Sequence, residues 1–87
     1  MVDVVIYTRD WCGYCAAAKN LLTKKGVAFD EKNASDDAAF RDEMLSKSNG
    51  GTTFPQIFIG DAHVGGCDDL FALERNGKLD AMLTGEG

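Results

Sequence analysis

Two cysteines three positions apart, Cys12 and Cys15 in Trp11-Cys12-Gly13-Tyr14-Cys15, are the residues of this chain best suited to do chemistry. On a helix that spacing brings both sulfurs to one turn, close enough for a disulfide. The pair falls where an apolar run, Val2 to Thr8, gives way to a helical pattern, so Cys12 is expected at a helix start. Backbone N–H groups without intrahelical partners face that position, and the helix dipole favours negative charge there. A thiolate is thereby stabilised relative to a thiol, which makes Cys12 the candidate nucleophile. Cys15, tucked one turn behind, is the candidate resolving sulfur.

The elements that hold this pair follow from the spacing of apolar residues. Val2, Val4, Val5, Ile6 and Tyr7 form the nearly continuous run of a central strand covered on both faces. From Gly13 the period becomes helical: Tyr14, Ala18, Leu21 and Leu22 share a face, Lys24 and Lys25 suit the C-terminal dipole, and Gly26 can cap. Val27 to Lys32 alternates as a half-exposed strand near an edge, parallel to the first through a right-handed crossover. A second helix is expected with Ser35 or Asp36 as cap, Asp37 in its first turn and Phe40, Met44 and Leu45 inward, stopped by Asn49-Gly50-Gly51. Gly60-Asp61 between Ile57-Phe58-Ile59 and Ala62-His63-Val64 fits a two-residue hairpin, which makes those strands antiparallel. Leu70, Phe71 and Leu73 mark a third helix ended by Asn76-Gly77, and Leu79, Met82 and Leu83 a short last one. The order predicts an α/β fold, a mixed sheet with helices on both faces.

Composition narrows the class. Eighty-seven residues, 45% of them apolar, suit one domain spanning 1–87 with one modest core. Nine basic against fourteen acidic side chains give a net charge of −5, which argues against nucleic acid as the main partner. The first residues lack the basic segment and long apolar run of a signal peptide, and no stretch approaches membrane-spanning length, so a cytoplasmic protein without membrane contact is expected. Three cysteines are unlike the dense, even framework of a small secreted scaffold. A zinc module would need a second Cys-x-x-Cys or Cys-x-x-His pair, which is missing.

Taken together, Cys12 to Cys15 at the first strand-to-helix turn, Thr53-Phe54-Pro55-Gln56-Ile57-Phe58-Ile59 before the hairpin and Gly65-Gly66-Cys67-Asp68-Asp69-Leu70 after it resemble the glutaredoxins, on the thioredoxin-like fold with its four-stranded mixed sheet. The likeness covers essentially the whole chain and is nearest to the small bacterial dithiol type. It implies a monomeric glutathione-dependent thiol-disulfide oxidoreductase acting on glutathionylated or disulfide-containing proteins. By the same resemblance, Tyr14 flanks the nucleophile and contacts glutathione, and Pro55 is a cis proline beside it. Phe54 offers its backbone to the cysteinyl part of glutathione, and Thr53 is a further glutathione-binding residue. The N–H groups at Cys67-Asp68 hold the γ-glutamyl carboxylate, with Asp68 or Asp69 facing its ammonium group. Arg9 and Arg41 are expected to pair with the glycyl carboxylate, Arg9 also lying near the Cys12 thiolate, as a local positive spot in an acidic protein. Cys67 is expected to be a small packed residue and His63 non-catalytic. Two positions depart from the family pattern: Gly13 stands where proline is usual and Phe54 where valine is usual. Gly13 leaves open a [2Fe-2S] cluster held across a dimer by Cys12 and glutathione; otherwise no metal is expected.

Overall fold

The chain builds a layered α/β arrangement in the computed structural model, which describes residues 2–85. Its elements run β1 (Val4–Thr8), α1 (Gly13–Lys24), β2 (Asp30–Asn33), α2 (Ala39–Lys47), β3 (Gln56–Ile59), β4 (Ala62–Gly65), α3 (Cys67–Arg75) and α4 (Leu79–Thr84). The strands form one sheet in the order β2-β1-β3-β4. β1 runs parallel to β2 and antiparallel to β3, and β3 antiparallel to β4, so the expected mixed sheet forms with β1 inside it. Gly60 takes φ +58 in the hairpin turn, the conformation that a glycine-first two-residue loop requires.

Strand alternation sends side chains to two layers. Val4 and Ile6 of β1 with Ile57 and Ile59 of β3 pack under α1, α3 and α4 against Ala18, Leu22, Leu70 and Leu79. Full burial of a residue such as Leu22 contributes about 1.5–3 kcal/mol. On the other face Tyr7, Phe58 and Met44 form a smaller cluster, with Phe40 and Phe54 packed against it, so α2 is the only helix in that layer's cluster. Polar contacts supplement it: the Tyr7 hydroxyl donates to the Glu43 carboxylate, and Lys32 Nζ reaches the same carboxylate at 2.6 Å while lying over the Tyr7 and Phe40 rings.

Several boundaries differ from the sequence reading. β2 begins at Asp30, where it meets Val5 in register, and Val27 instead turns into the core beneath α1. Neither Ser35 nor Asp36 caps α2. The Ser35 hydroxyl accepts from the Asp10 N–H at 2.9 Å, and it is the Asp37 carboxylate that accepts from the Ala39 N–H, also at 2.9 Å. Tyr14, expected on the inner face of α1, is 68% exposed, because the first turn overhangs the end of the sheet and Cys15 takes the inward position. Leu45, Phe71, Leu73 and Met82 are half-buried, while Cys67 and Leu70 supply the fully buried face of α3.

Candidate functional site

Cys12 is the N-cap of α1, in extended backbone at φ −113 and ψ 103, so its side chain is aimed back at the free N–H groups of the first turn. Its Sγ accepts from the Cys15 N–H at 3.1 Å. No acidic residue occupies the first turn of α1, so nothing there opposes negative charge on the sulfur. The two cysteines form a disulfide with Cα atoms 5.2 Å apart, the oxidised state of the pair. Cys12 is half-exposed and Cys15 is 2% exposed, which is the expected asymmetry between an attacking and a resolving sulfur.

The loop entering the helix is fixed from outside. The Asp10 side chain accepts from Asn33 at 3.0 Å and its N–H donates to Ser35, tying the loop to the end of β2 and the turn that follows it. Between this anchor and the cap the chain must reverse, and Trp11 takes the left-handed conformation at φ +59. For a bulky residue that costs about 1–2 kcal/mol. Its indole is 99% exposed.

Opposite the cysteines lies the segment before β3. The Phe54–Pro55 peptide is cis, Pro55 is buried, and the Phe54 carbonyl oxygen is 4.0 Å from Cys12 Sγ. Beside it runs a groove of about 420 Å³, lined by Tyr14 from α1, by Gly51 and Thr53 to Gln56 ahead of and at the start of β3, by His63 and Gly65 from β4, and by Gly66 to Asp69 at the start of α3. The fold therefore brings Tyr14, Thr53, Phe54, Pro55, Cys67, Asp68 and Asp69 together next to the cysteine pair.

Arg9 and Arg41 do not line this groove. The Arg9 guanidinium reaches the Asp10 carbonyl at 3.4 Å, and Arg41 lies exposed on α2. No lysine or arginine is among the lining residues, so the positive spot there is the start of α3 rather than a cluster of cations. Asp68 and Asp69 are both exposed, and Asp69 spends one carboxylate oxygen on the Gly66 N–H at 3.1 Å, closing half of a capping box. As first-turn groups, the Cys67 and Asp68 N–H have no intrahelical acceptor and remain suited to an anion. Gly65 holds φ +113 against the Asp69 carboxylate, where a side chain would collide. Burial, and secondarily Asp68, push the Cys67 thiol pKa up.

Five lining residues, Gly51, Gln56, His63, Gly65 and Gly66, were not among the site residues of the sequence reading, and two of them meet through their side chains. Gln56, buried, donates through Nε2 to the Thr53 carbonyl at 3.0 Å and hydroxyl at 3.1 Å. Its remaining oxygen faces His63 Nε2 at 2.6 Å, so that nitrogen carries the proton. His63 stacks on Phe58, ring centroids 4.7 Å apart. The hairpin was the available signal, since a Gly60-Asp61 turn places His63 opposite Phe58 and diagonal to Gln56.

The family model described as glutaredoxin matches residues 4–64. A glutaredoxin of Pseudomonas aeruginosa is 57% identical over 84 residues, covering 97% of this chain and 99% of that protein. The solution structure of a Brucella melitensis glutaredoxin, 60% identical, superposes with a TM-score of 0.80 over 95% of this chain and 89% of that one. A crystal structure of a buckwheat glutaredoxin-glutathione complex, 35% identical, gives 0.85 over 99% of this chain and 80% of that one.

Proposed function

Since the chain belongs to the glutaredoxin family of thiol-disulfide oxidoreductases, we propose that it reduces protein-glutathione mixed disulfides and protein disulfides at the expense of glutathione, with Cys12 as nucleophile. The observation that carries this reading is the half-exposed Cys12 sulfur, capping α1 and facing the Phe54 carbonyl at the end of a groove large enough for a peptide ligand. On the monothiol route the Cys12 thiolate attacks the glutathione sulfur of a mixed disulfide. The protein sulfur leaves as a thiolate and takes up a proton, and a Cys12-glutathione disulfide forms. A second glutathione thiolate attacks that adduct, releasing oxidised glutathione and regenerating Cys12. With a protein disulfide, Cys12 bonds one substrate sulfur, Cys15 displaces it, and two glutathiones then reduce the Cys12–Cys15 disulfide.

In the groove, the backbone of Thr53 and Phe54 pairs with the cysteinyl portion of glutathione, and Tyr14 and Pro55 flank the sulfur. The first N–H groups of α3 at Cys67 and Asp68 take its γ-glutamyl carboxylate, while Asp68 faces the ammonium group. Asp69 serves by holding the Gly66 turn. Arg9 and Arg41, outside the lining, act only as longer-range charges on the glycyl carboxylate. The protein works as a monomer.

Turnover of a glutathione mixed disulfide, coupled to glutathione reductase, tests the assignment. Cys12→Ser falls to background, and Cys15→Ser keeps a substantial fraction of wild-type activity on that substrate while losing activity on protein disulfides. Absence of turnover by the wild type would sink the reading.

A further inference from the structure

Trp11 and Tyr14 are the exposed large apolar side chains among the described residues, and they stand on either side of Cys12 in the sequence. They do not share a role, because Tyr14 lines the groove and Trp11 does not. Trp11 is 99% exposed, so its indole gains nothing from packing within the chain, yet its backbone is strained at φ +59. The anchored Asp10 and the Cys12 cap hold it in place. An exposed indole carried on an anchored backbone next to a reactive sulfur offers apolar area to whatever is attached to the second sulfur of the substrate.

We infer that Trp11 is a contact surface for the polypeptide part of a mixed disulfide, favouring cysteines next to an apolar residue. This rests on the reading of Cys12 as the nucleophile and extends it to the side of the substrate away from the groove. Disulfide exchange needs the attacking, central and leaving sulfurs nearly in line. With glutathione in the groove, the leaving polypeptide lies across Cys12 from it, outside the groove, and Trp11 is the large apolar side chain next to Cys12 that the groove does not use. A small thiol attached to glutathione is too short to cover an indole; a chain running on from its cysteine is long enough. The flanking charges, Arg9 and Asp10, are opposite in sign, so apolar contact rather than net charge sets the preference.

The chain has a single tryptophan, so its fluorescence reports this surface directly. A tryptophan-free peptide carrying one glutathionylated cysteine beside a leucine is added at saturating concentration to Cys12→Ser/Cys15→Ser protein. With no sulfur at the site to attack it, the mixed disulfide stays intact, its glutathione in the groove and its peptide on the far side. The expected result is a blue-shifted emission with the glutathionylated peptide, and little shift with the glutathione–2-mercaptoethanol disulfide. In turnover, Trp11→Asn, a residue that tolerates the left-handed backbone, is expected to lower the ratio of kcat/KM on the glutathionylated peptide to that on the glutathione–2-mercaptoethanol disulfide by about tenfold, more than most interface residues cost when truncated. Unshifted emission with the glutathionylated peptide together with an unchanged ratio overturns the inference while leaving Cys12 chemistry intact. Failure of the wild type to turn over either substrate would instead remove the nucleophile reading on which it rests.

Discussion

Cys12 and Cys67 both sit at helix starts, yet the two thiols meet opposite surroundings. Cys12 caps a first turn free of acids and is partly open to solvent. Cys67 is 8% exposed, and Asp68 and Asp69 share its turn, so burial and then the Asp68 charge hold its thiol above the ordinary value. A raised thiol pKa means less thiolate at neutral pH, hence slower reaction with electrophiles. In the reduced protein at pH 7, iodoacetamide is expected to label Cys12 faster than Cys67, since a raised thiol pKa and burial both leave less reactive thiolate at Cys67. Peptide mapping by mass spectrometry measures both rates, and Cys67 should gain reactivity only as the pH climbs past the usual thiol range. Equal rates at pH 7 would show that the helix start, not burial and Asp68, governs Cys67.

Among the helices, α2 is the one least secured by apolar packing, with Met44 its only buried apolar side chain. Glu43 compensates by taking the Tyr7 hydroxyl from β1 and the Lys32 ammonium from β2, and those bonds, Lys32 first, hold its carboxyl below the ordinary range. A depressed folded-state value adds stability above the ordinary glutamate pKa, and that stability is lost as pH falls through the folded value. Because the Glu43 side chain is 38% exposed, the gain is screened and amounts to about 1 kcal/mol or less. Glu43→Gln is therefore expected to have a slightly lower urea midpoint at neutral pH and a flatter decline than the wild type between about pH 5 and pH 3. Parallel declines would assign the acid sensitivity to other carboxylates, such as Glu31, held down by Thr8 and then Lys19. This pin was invisible in the sequence, since it depends on three side chains meeting across two strands and a helix. Apolar periodicity did reveal β1 and most of the buried face of α1, because those elements bury continuous stripes, and the Gly60-Asp61 turn revealed the hairpin. It misplaced Tyr14 and the α2 cap, because a first turn overhanging the sheet and a serine drawn to Asp10 are set by neighbours distant in sequence. The cysteine pair and the residues of the groove were legible as local motifs. The Gln56–His63 contact could be read only from the hairpin register, since it joins two strands through side chains rather than a spaced motif.

At the scale of the whole molecule, nine basic and fourteen acidic side chains set a negative far field around a groove proposed to receive an anionic peptide. Two electrostatic effects oppose each other there. The start of α3 attracts a carboxylate over a few ångströms, too short a distance for dissolved salt to intervene. The net charge of −5 repels the same anion over tens of ångströms, and this part is screened, the Debye length shrinking from about 30 Å at 0.01 M to about 8 Å at 0.15 M. Added salt should thus remove the repulsion and leave the local attraction, so kcat/KM for a small anionic glutathione mixed disulfide is expected to rise about twofold over that range. A glutathionylated lysine-rich peptide should respond in the opposite direction, because the far field that repels glutathione attracts it. Stopped-flow measurement of Cys12 glutathionylation at both ionic strengths separates the cases. If the anionic substrate slowed with salt as the cationic one does, a positive field would have to dominate the approach to Cys12, and Arg9 and Arg41, though outside the groove, would be its nearest candidates.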